Sequence, residues 1–253
     1  MTKTVAVMSM SLDGYVADAN DGVAEVFDWY FAGDVDISMP STSSDMTFHV
    51  SATSADHVRG LMAEVGAMLT GRRTFERADG WGGKHPWDVP AFVATHHVPD
   101  GWPRPGSTVE FVTDGIESAV ARARSAAGPK CVLVHGAQTI QQCLDAGLLD
   151  EIHIDLAAVL LGRGVRLFDH LANTPAALGN PTVVTGVGVT HLRYPVYPSY
   201  INRTGVSQGC SSERRSNRSS DARRGWCPLA TGHSPRASAP NRSWSMACTN
   251  ASA

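Results

Sequence analysis

The 253-residue sequence has no run approaching the ~20 consecutive apolar residues that cross a bilayer, which argues against a membrane span. Its start, Met1 to Val7, lacks the basic segment and long apolar core of a secretory signal, so the chain reads as cytoplasmic. Of its five cysteines, Cys131, Cys143, Cys210, Cys227 and Cys248, none have zinc-ligand spacing. The first two lie in apolar patterns, the usual place of a reduced structural thiol. Neither the dinucleotide G-x-G-x-x-G spacing nor the P-loop lysine signature occurs. No serine sits in a nucleophile elbow, no Ser-His-Asp order is evident, and neither body thiol has a local activating partner, so hydrolytic chemistry is disfavoured. The histidines form no obvious metal site. His96 and His97 point to opposite faces of an extended chain, while His153 and Asp155 share a strand face but are only two ligands. No metal is expected.

The formal charge of −3 conceals a division. From Tyr200 to Ala253 there are eight arginines against only Glu213 and Asp221, leaving 13 basic and 22 acidic residues in the remainder. An acidic body argues against a nucleic-acid partner. The tail is rich in Ser, Arg, Gly and Pro without a sustained apolar period. It buries too little to offset the entropy of ordering, so residues 198–253 are expected to be disordered and residues 1–197 to form one domain.

Within that body, strand-like and helix-like segments alternate. Thr4 to Ser9 is an apolar strand that leaves through the Asp13-Gly14 turn. A polar stretch from Asp18 to about Ser54 follows. Val58, Leu61, Met62 and Val65 then recur at helical spacing behind Ser54 or Thr53 as N-cap. Strands are expected ending at Gly71 and over Ala91–Thr95, Val109–Val112, Cys131–Val134 and Glu151–Leu156, with helices over Ile116–Ala127 and Gln138–Ala146. A terminal pair near Thr182–Val187 and Val189–Val196 closes the body. This alternation implies an α/β sandwich with a mostly parallel sheet and an antiparallel hairpin at its edge.

Two strand-to-helix junctions carry the chemistry. In Gly71-Arg72-Arg73-Thr74 a glycine admits close backbone approach, the unpaired N–H groups of a helix start favour an anion, and two guanidinium groups can fork onto phosphate oxygens. Gly136-Ala137-Gln138-Thr139-Ile140 repeats the arrangement, so the two together suit the separate phosphates of a dinucleotide. Gly162-Arg163-Gly164 reads as a loop turn. Anion sites without a nucleophile suit hydride transfer, in which a cofactor carries the reaction.

These motifs, with Ser11-Leu12-Asp13-Gly14-Tyr15, Val93-Ala94-Thr95-His96 and the run from Val134 to Phe168, resemble the dihydrofolate-reductase-like superfamily. Within it, they resemble the C-terminal reductase domain of riboflavin biosynthesis. The resemblance implies a three-layer α/β/α sandwich, NADPH as cofactor, a heterocyclic substrate of pyrimidine or pteridine type, and often a homodimer, to which Ile152–Leu156 could contribute. It places the adenosine 2′-phosphate at Gly71, Arg72, Arg73 and Thr74, and the adenosine along Thr95 and His96. The pyrophosphate falls at Gly136, Ala137, Gln138, Thr139 and Ile140, and the nicotinamide by Ser11 and Leu12. His135 stands where many relatives have glycine, and would either crowd the pyrophosphate or point away. The acid that helps protonate substrate has no fixed match; Asp13, Asp28 and Asp45 are candidates, beside Asp34 and Asp36. Trp29, Trp81 and Gly82 are expected to line the substrate pocket. Two other readings stay open, a true dihydrofolate reductase and a non-enzymatic nucleotide-binding protein.

Overall fold

The computed structural model describes residues 2–41 and 44–197; the expected disordered tail, with three of the cysteines, lies outside the described residues. In chain order the strands are β1 (Thr4–Ser11), β2 (Tyr15–Ala17), β3 (Val35–Ser38), β4 (Thr47–Val50), β5 (Val65–Gly71), β6 (Ala91–Ala94), β7 (Val109–Val112), β8 (Cys131–His135), β9 (Glu151–Ala157), β10 (Val165–Arg166), β11 (Thr182–Thr185) and β12 (Val189–Pro195). The helices are α1 (Ala24–Phe27), α2 (Ala52–Glu64), α3 (Arg72–Arg77), α4 (Ile116–Ala127) and α5 (Ala137–Asp145). Eight strands form one sheet in the order β11-β12-β9-β1-β8-β5-β6-β7. All neighbours are parallel except β12, which runs antiparallel to β9 and to β11.

Parallel strands are covered on both faces, and the sequence shows it. Ala6, Met8, Val132, Val134, Ile152 and Ile154 face one way, packing with Val120 of α4 and Ile140 of α5. Val5, Val7 and Leu133 face the other way, with Leu61 of α2 and Phe75 of α3. Three layers result, and each fully buried side chain such as Leu69 or Leu133 contributes about 1.5–3 kcal/mol. Among the described residues no helix is long and apolar enough to cross a membrane.

Three sequence expectations need correction. The N-cap of α2 is Ser51, whose hydroxyl accepts the Ser54 N–H at 3.4 Å; Ser54 lies one turn inside the helix and is buried. Val65 opens β5, because the apolar spacing of α2 runs into the strand without a breaker between them. The strand offered as a dimer contact, β9, lies between β1 and β12 with Ile152 and Ile154 buried, and of the offered apolar residues only Leu156 is partly exposed. The polar stretch also holds more structure than its composition suggested. The β3–β4 hairpin and the aromatic turn at 28–31 close over α2 through Trp29, Ile37, Val50, Ala55 and Val58.

Candidate active site

Parallel pairing puts the C-terminal ends of β1, β5, β6, β8 and β9 at one sheet edge, and the expected cofactor segments all leave from it. Gly136 opens α5 with φ +91°, and no side chain caps the helix, so its first N–H groups face outward for an anion. The two junctions touch. A Cβ on Gly136 would lie 2.7 Å from Thr74 Oγ1, and one on Gly71 would lie 2.8 Å from Thr139 Oγ1. Both glycines are therefore required for close approach, and at Gly136 the positive φ adds a second reason. Gly136→Ala is expected to destabilise the protein by about 1–3 kcal/mol through that strained backbone and to weaken dinucleotide binding. Denaturant titration and dinucleotide binding check the two effects separately.

Ala137, Thr139 and Ile140 are buried and fix the helix start, whereas Gln138 is exposed at the edge. His135 shares the β8 face of Leu133, away from the α5 side on which Val132 and Val134 pack, so its ring points away from the expected pyrophosphate site. Thr95 is held by its N–H to Val112 O at 3.0 Å, and His96 is exposed. Leu12 is 65% exposed, and Ser11 is buried with its hydroxyl donating to Asp13 Oδ1 at 2.6 Å. Arg72 and Arg73 are exposed but occupied. Arg72 Nε donates to Glu76 at 2.6 Å, and Arg73 makes a two-pronged pair with Asp21. A phosphate at this site would have to draw both guanidinium groups from these carboxylates.

The candidate acids Asp13, Asp28 and Asp45 lie on loops and turns of the structure. Asp13 accepts from Ser11, from Leu161 N at 3.1 Å and from Gly162 N at 2.7 Å, which staples the loop after β1 to the loop after β9. Those bonds, the Ser11 hydroxyl foremost, hold its carboxyl below the usual range. Asp28 and Asp45 are exposed. Trp29 is 2% exposed, with its indole N–H on Ser9 Oγ at 3.1 Å, and Trp81 packs edge-on to Phe75 and His85. Gly80, Trp81 and Gly82 take successive positive φ values of 58°, 51° and 62°, a turn that tucks the Trp81 ring inward and leaves Gly82 exposed.

A cavity of ≈ 500 Å³ opens instead between the start of α2 and the β11–β12 pair, and its wall includes none of Trp29, Trp81 and Gly82. Thr53, Asp56 and His57 of α2 face Thr182, His191 and Arg193 across it. Behind the wall lies Asp155 of β9. Its Oδ1 accepts from His191 Nδ1 at 2.7 Å and lies 3.3 Å from His57 Nε2. His191 Nε2 meets Ser54 Oγ at 3.0 Å, which in turn accepts from Ser51 Oγ at 3.0 Å. The His57 and His191 rings stack at 3.9 Å. Burial alone would raise the Asp155 carboxyl, but the His191 bond and the nearness of His57 outweigh it, so Asp155 stays ionised below the usual carboxylate range.

Sequence order had suggested no Ser-His-Asp set, and the fold assembles one. Ser54 is nevertheless 1% exposed and off the cavity wall, which bars it from acting as a nucleophile on a soluble substrate. What the arrangement can do is hold and release a proton, because two imidazoles share one buried anion at a cavity wall. This cluster was missed because its members come from α2, β9 and β12. The usable signals were Asp155 at an inward position of an alternating strand and His57 on the apolar stripe of a helix.

Over residues 2–190 the chain matches the family profile described as the RibD C-terminal domain. No curated protein sequence matches it. A solved structure described as a candidate riboflavin biosynthesis protein, from Shewanella sp. PV-4, is 25% identical with a TM-score of 0.53, covering 78% of this chain and 99% of that one. A dihydrofolate reductase from Enterococcus faecalis, complexed with NADP(H), is 11% identical with a TM-score of 0.48, covering 77% and 96%. A diaminohydroxyphosphoribosylaminopyrimidine deaminase/5-amino-6-(5-phosphoribosylamino)uracil reductase from Thermotoga maritima is 14% identical with a TM-score of 0.48. The match covers 78% of this chain but only 57% of that longer one.

Proposed function

We propose, from the premise that this chain belongs to the RibD C-terminal domain family and is an oxidoreductase, that it uses NADPH to reduce a small nitrogen heterocycle of the aminouracil type. The observation that carries the reading is the contact between the two junctions at the parallel edge, Thr139 beside Gly71 and Thr74 beside Gly136. It makes one continuous cradle from two glycine turns, with the open start of α5 for a pyrophosphate and Arg72 and Arg73 for a 2′-phosphate. NADPH, when bound, supplies the hydride. Reduction of a ring or imine double bond also takes up a proton, and this chain offers one at the cavity wall. His57 and His191 hold it there, oriented by the Asp155 carboxylate behind them, until it passes to a substrate nitrogen. Asp56 and Arg193 add an acceptor and a donor for the polar edge of such a ring.

The test is loss of reduced-nicotinamide absorbance over a panel of aminouracils and dihydropteridines, dihydrofolate included. Turnover of an aminouracil supports the reading. NADPH bound but never oxidised across the panel would favour a binding protein instead. Turnover of dihydrofolate, lost on replacing a single Asp, would instead favour a true dihydrofolate reductase, whose acid would not be Asp28 or Asp45, since both are exposed.

Cofactor choice gives a prediction of its own. Arg72→Ala with Arg73→Ala should weaken NADPH more than NADH, by roughly tenfold or more, because only NADPH carries the 2′-phosphate. Both arginines are exposed, so added salt should shrink the difference. Asp21→Asn should act in the opposite direction and tighten NADPH, because it frees Arg73. Dinucleotide affinities measured in parallel decide it; equal weakening of both cofactors by the double variant would show that the arginines only support the loop.

A further inference from the structure

The geometry points to a binding site for one divalent transition-metal cation of the zinc class at His57, Asp155 and His191, entered from the cavity between α2 and the β11–β12 pair. All three side chains are buried, and their ligand atoms lie within 4.8 Å of one another. The set of two imidazoles and one carboxylate is of the borderline kind that suits zinc and its neighbours, whereas magnesium and calcium prefer oxygen alone.

Three independent features support it. First, His57 Nε2 is buried without a hydrogen-bond partner, although it lies 3.3 Å from Asp155 Oδ1. A buried polar atom left in that state is destabilising, and a coordinate bond would satisfy it. Second, the spacing is close to what a metal needs. Ligand atoms bound at about 2.0–2.1 Å in a tetrahedron stand roughly 3.3 Å apart. The His57–Asp155 pair already has that separation, and the His191–Asp155 pair, at 2.7 Å, must open by about 0.6 Å. Third, the ligand His191 already has an outer partner, since its other ring nitrogen meets Ser54 Oγ at 3.0 Å and Ser54 is fixed in turn by Ser51. Such outer bonds orient metal-binding histidines. Filling the site tilts His57 and His191 out of their stack and releases the proton on His191 Nδ1. The cavity leaves a fourth position for water.

This site does not depend on the reductase reading, although a cation there would occupy the groups assigned above to proton supply. The test is calorimetric titration of the metal-free full-length chain with zinc chloride, joined to the visible spectrum after cobalt(II) addition. One equivalent should bind, and cobalt should give the intense bands of a four-coordinate site. His57→Gln and Asp155→Asn should each weaken zinc by roughly 100-fold or more, and Ser54→Ala by roughly 10- to 100-fold. His49→Ala, at an exposed histidine, should change nothing. Circular dichroism checks that each variant is folded; should the ligand variants fail, Ser54→Ala and the wild-type cobalt spectrum decide. Failure of the wild-type chain to bind zinc, a six-coordinate cobalt spectrum, or affinity unchanged in the folded variants would overturn the assignment. Absence of NADPH turnover in the metal-free chain, with zinc binding intact, would count against the reductase reading alone.

Discussion

Lowering the pH from 6.5 to 4 is expected to remove roughly 3–5 kcal/mol of folding stability, chiefly because buried His85 and half-buried His135 must take up protons. Burial pushes His85 down to about 3 and His135 down to about 4, the latter despite the opposing pull of the Asp155 charge. Both folded values lie below the ordinary 6.5, so the unfolded chain binds more protons throughout this window. Stability is then full above about pH 6.5 and falls as the pH drops, by up to about 1.4 kcal/mol per unit for each histidine. His153, also pushed down mainly by burial, adds in the same direction. Local structure agrees for His85, whose Nδ1 accepts the Trp87 N–H at 3.2 Å and cannot do so once protonated. Asp155 acts lower down; its folded value is depressed, so its contribution is lost only as the pH falls below the carboxylate range. Against a typical total of about 5–15 kcal/mol, this loss brings the protein near unfolding at pH 4. Denaturant titrations at a series of pH values measure the slope, which His135→Gln should reduce by about one proton. An unaltered slope in that variant would show that His135 is not held neutral in the folded protein.

Replacing Asp155 should have the second large effect. Asp155→Ala leaves His57 and His191 stacked and buried without their carboxylate partner and is expected to cost about 3–5 kcal/mol. Exchanging all three groups together for apolar side chains of similar volume should recover much of that loss, because an apolar replacement leaves no buried polar atom unpaired. Asp155→Asn keeps the shape but removes the charge. It should lower reductive turnover by roughly 100-fold or more, with NADPH affinity nearly unchanged, since the cluster lies on α2, β9 and β12 and the cradle on α3 and α5. Unchanged turnover in Asp155→Asn would remove the cluster from the chemistry and leave it a structural network.

Much of the frame was legible in the residues. Apolar runs such as Val132–Val134, rich in β-branched residues and bounded by glycine turns, read as buried strands, and the turns at Gly71 and Gly136 announced helix starts at strand ends. The stretch from Asp18 to Ser54 was not legible in this way. The β3–β4 hairpin and the turn at 28–31 are too short to carry a period, and they are held by contact with α2. Trp29 and Trp81 were expected at a pocket wall because aromatic loops often line one. Here Trp29 finds an internal partner in Ser9, and the left-handed turn at 80–82 folds Trp81 onto Phe75.

By itself the sequence determined the alternation of strands and helices, the parallel sheet with its closing hairpin, and the two glycine junctions, because each follows from local periodicity or from a turn that tolerates few side chains. Only the tertiary structure decided which polar groups meet. Asp155 and His191 become neighbours because β12 pairs with β9 in the register that sets one opposite the other. His57 joins them because α2 turns its buried stripe onto that same face. Register and helix docking depend on summed contacts between segments far apart in the chain, and no window of sequence contains them.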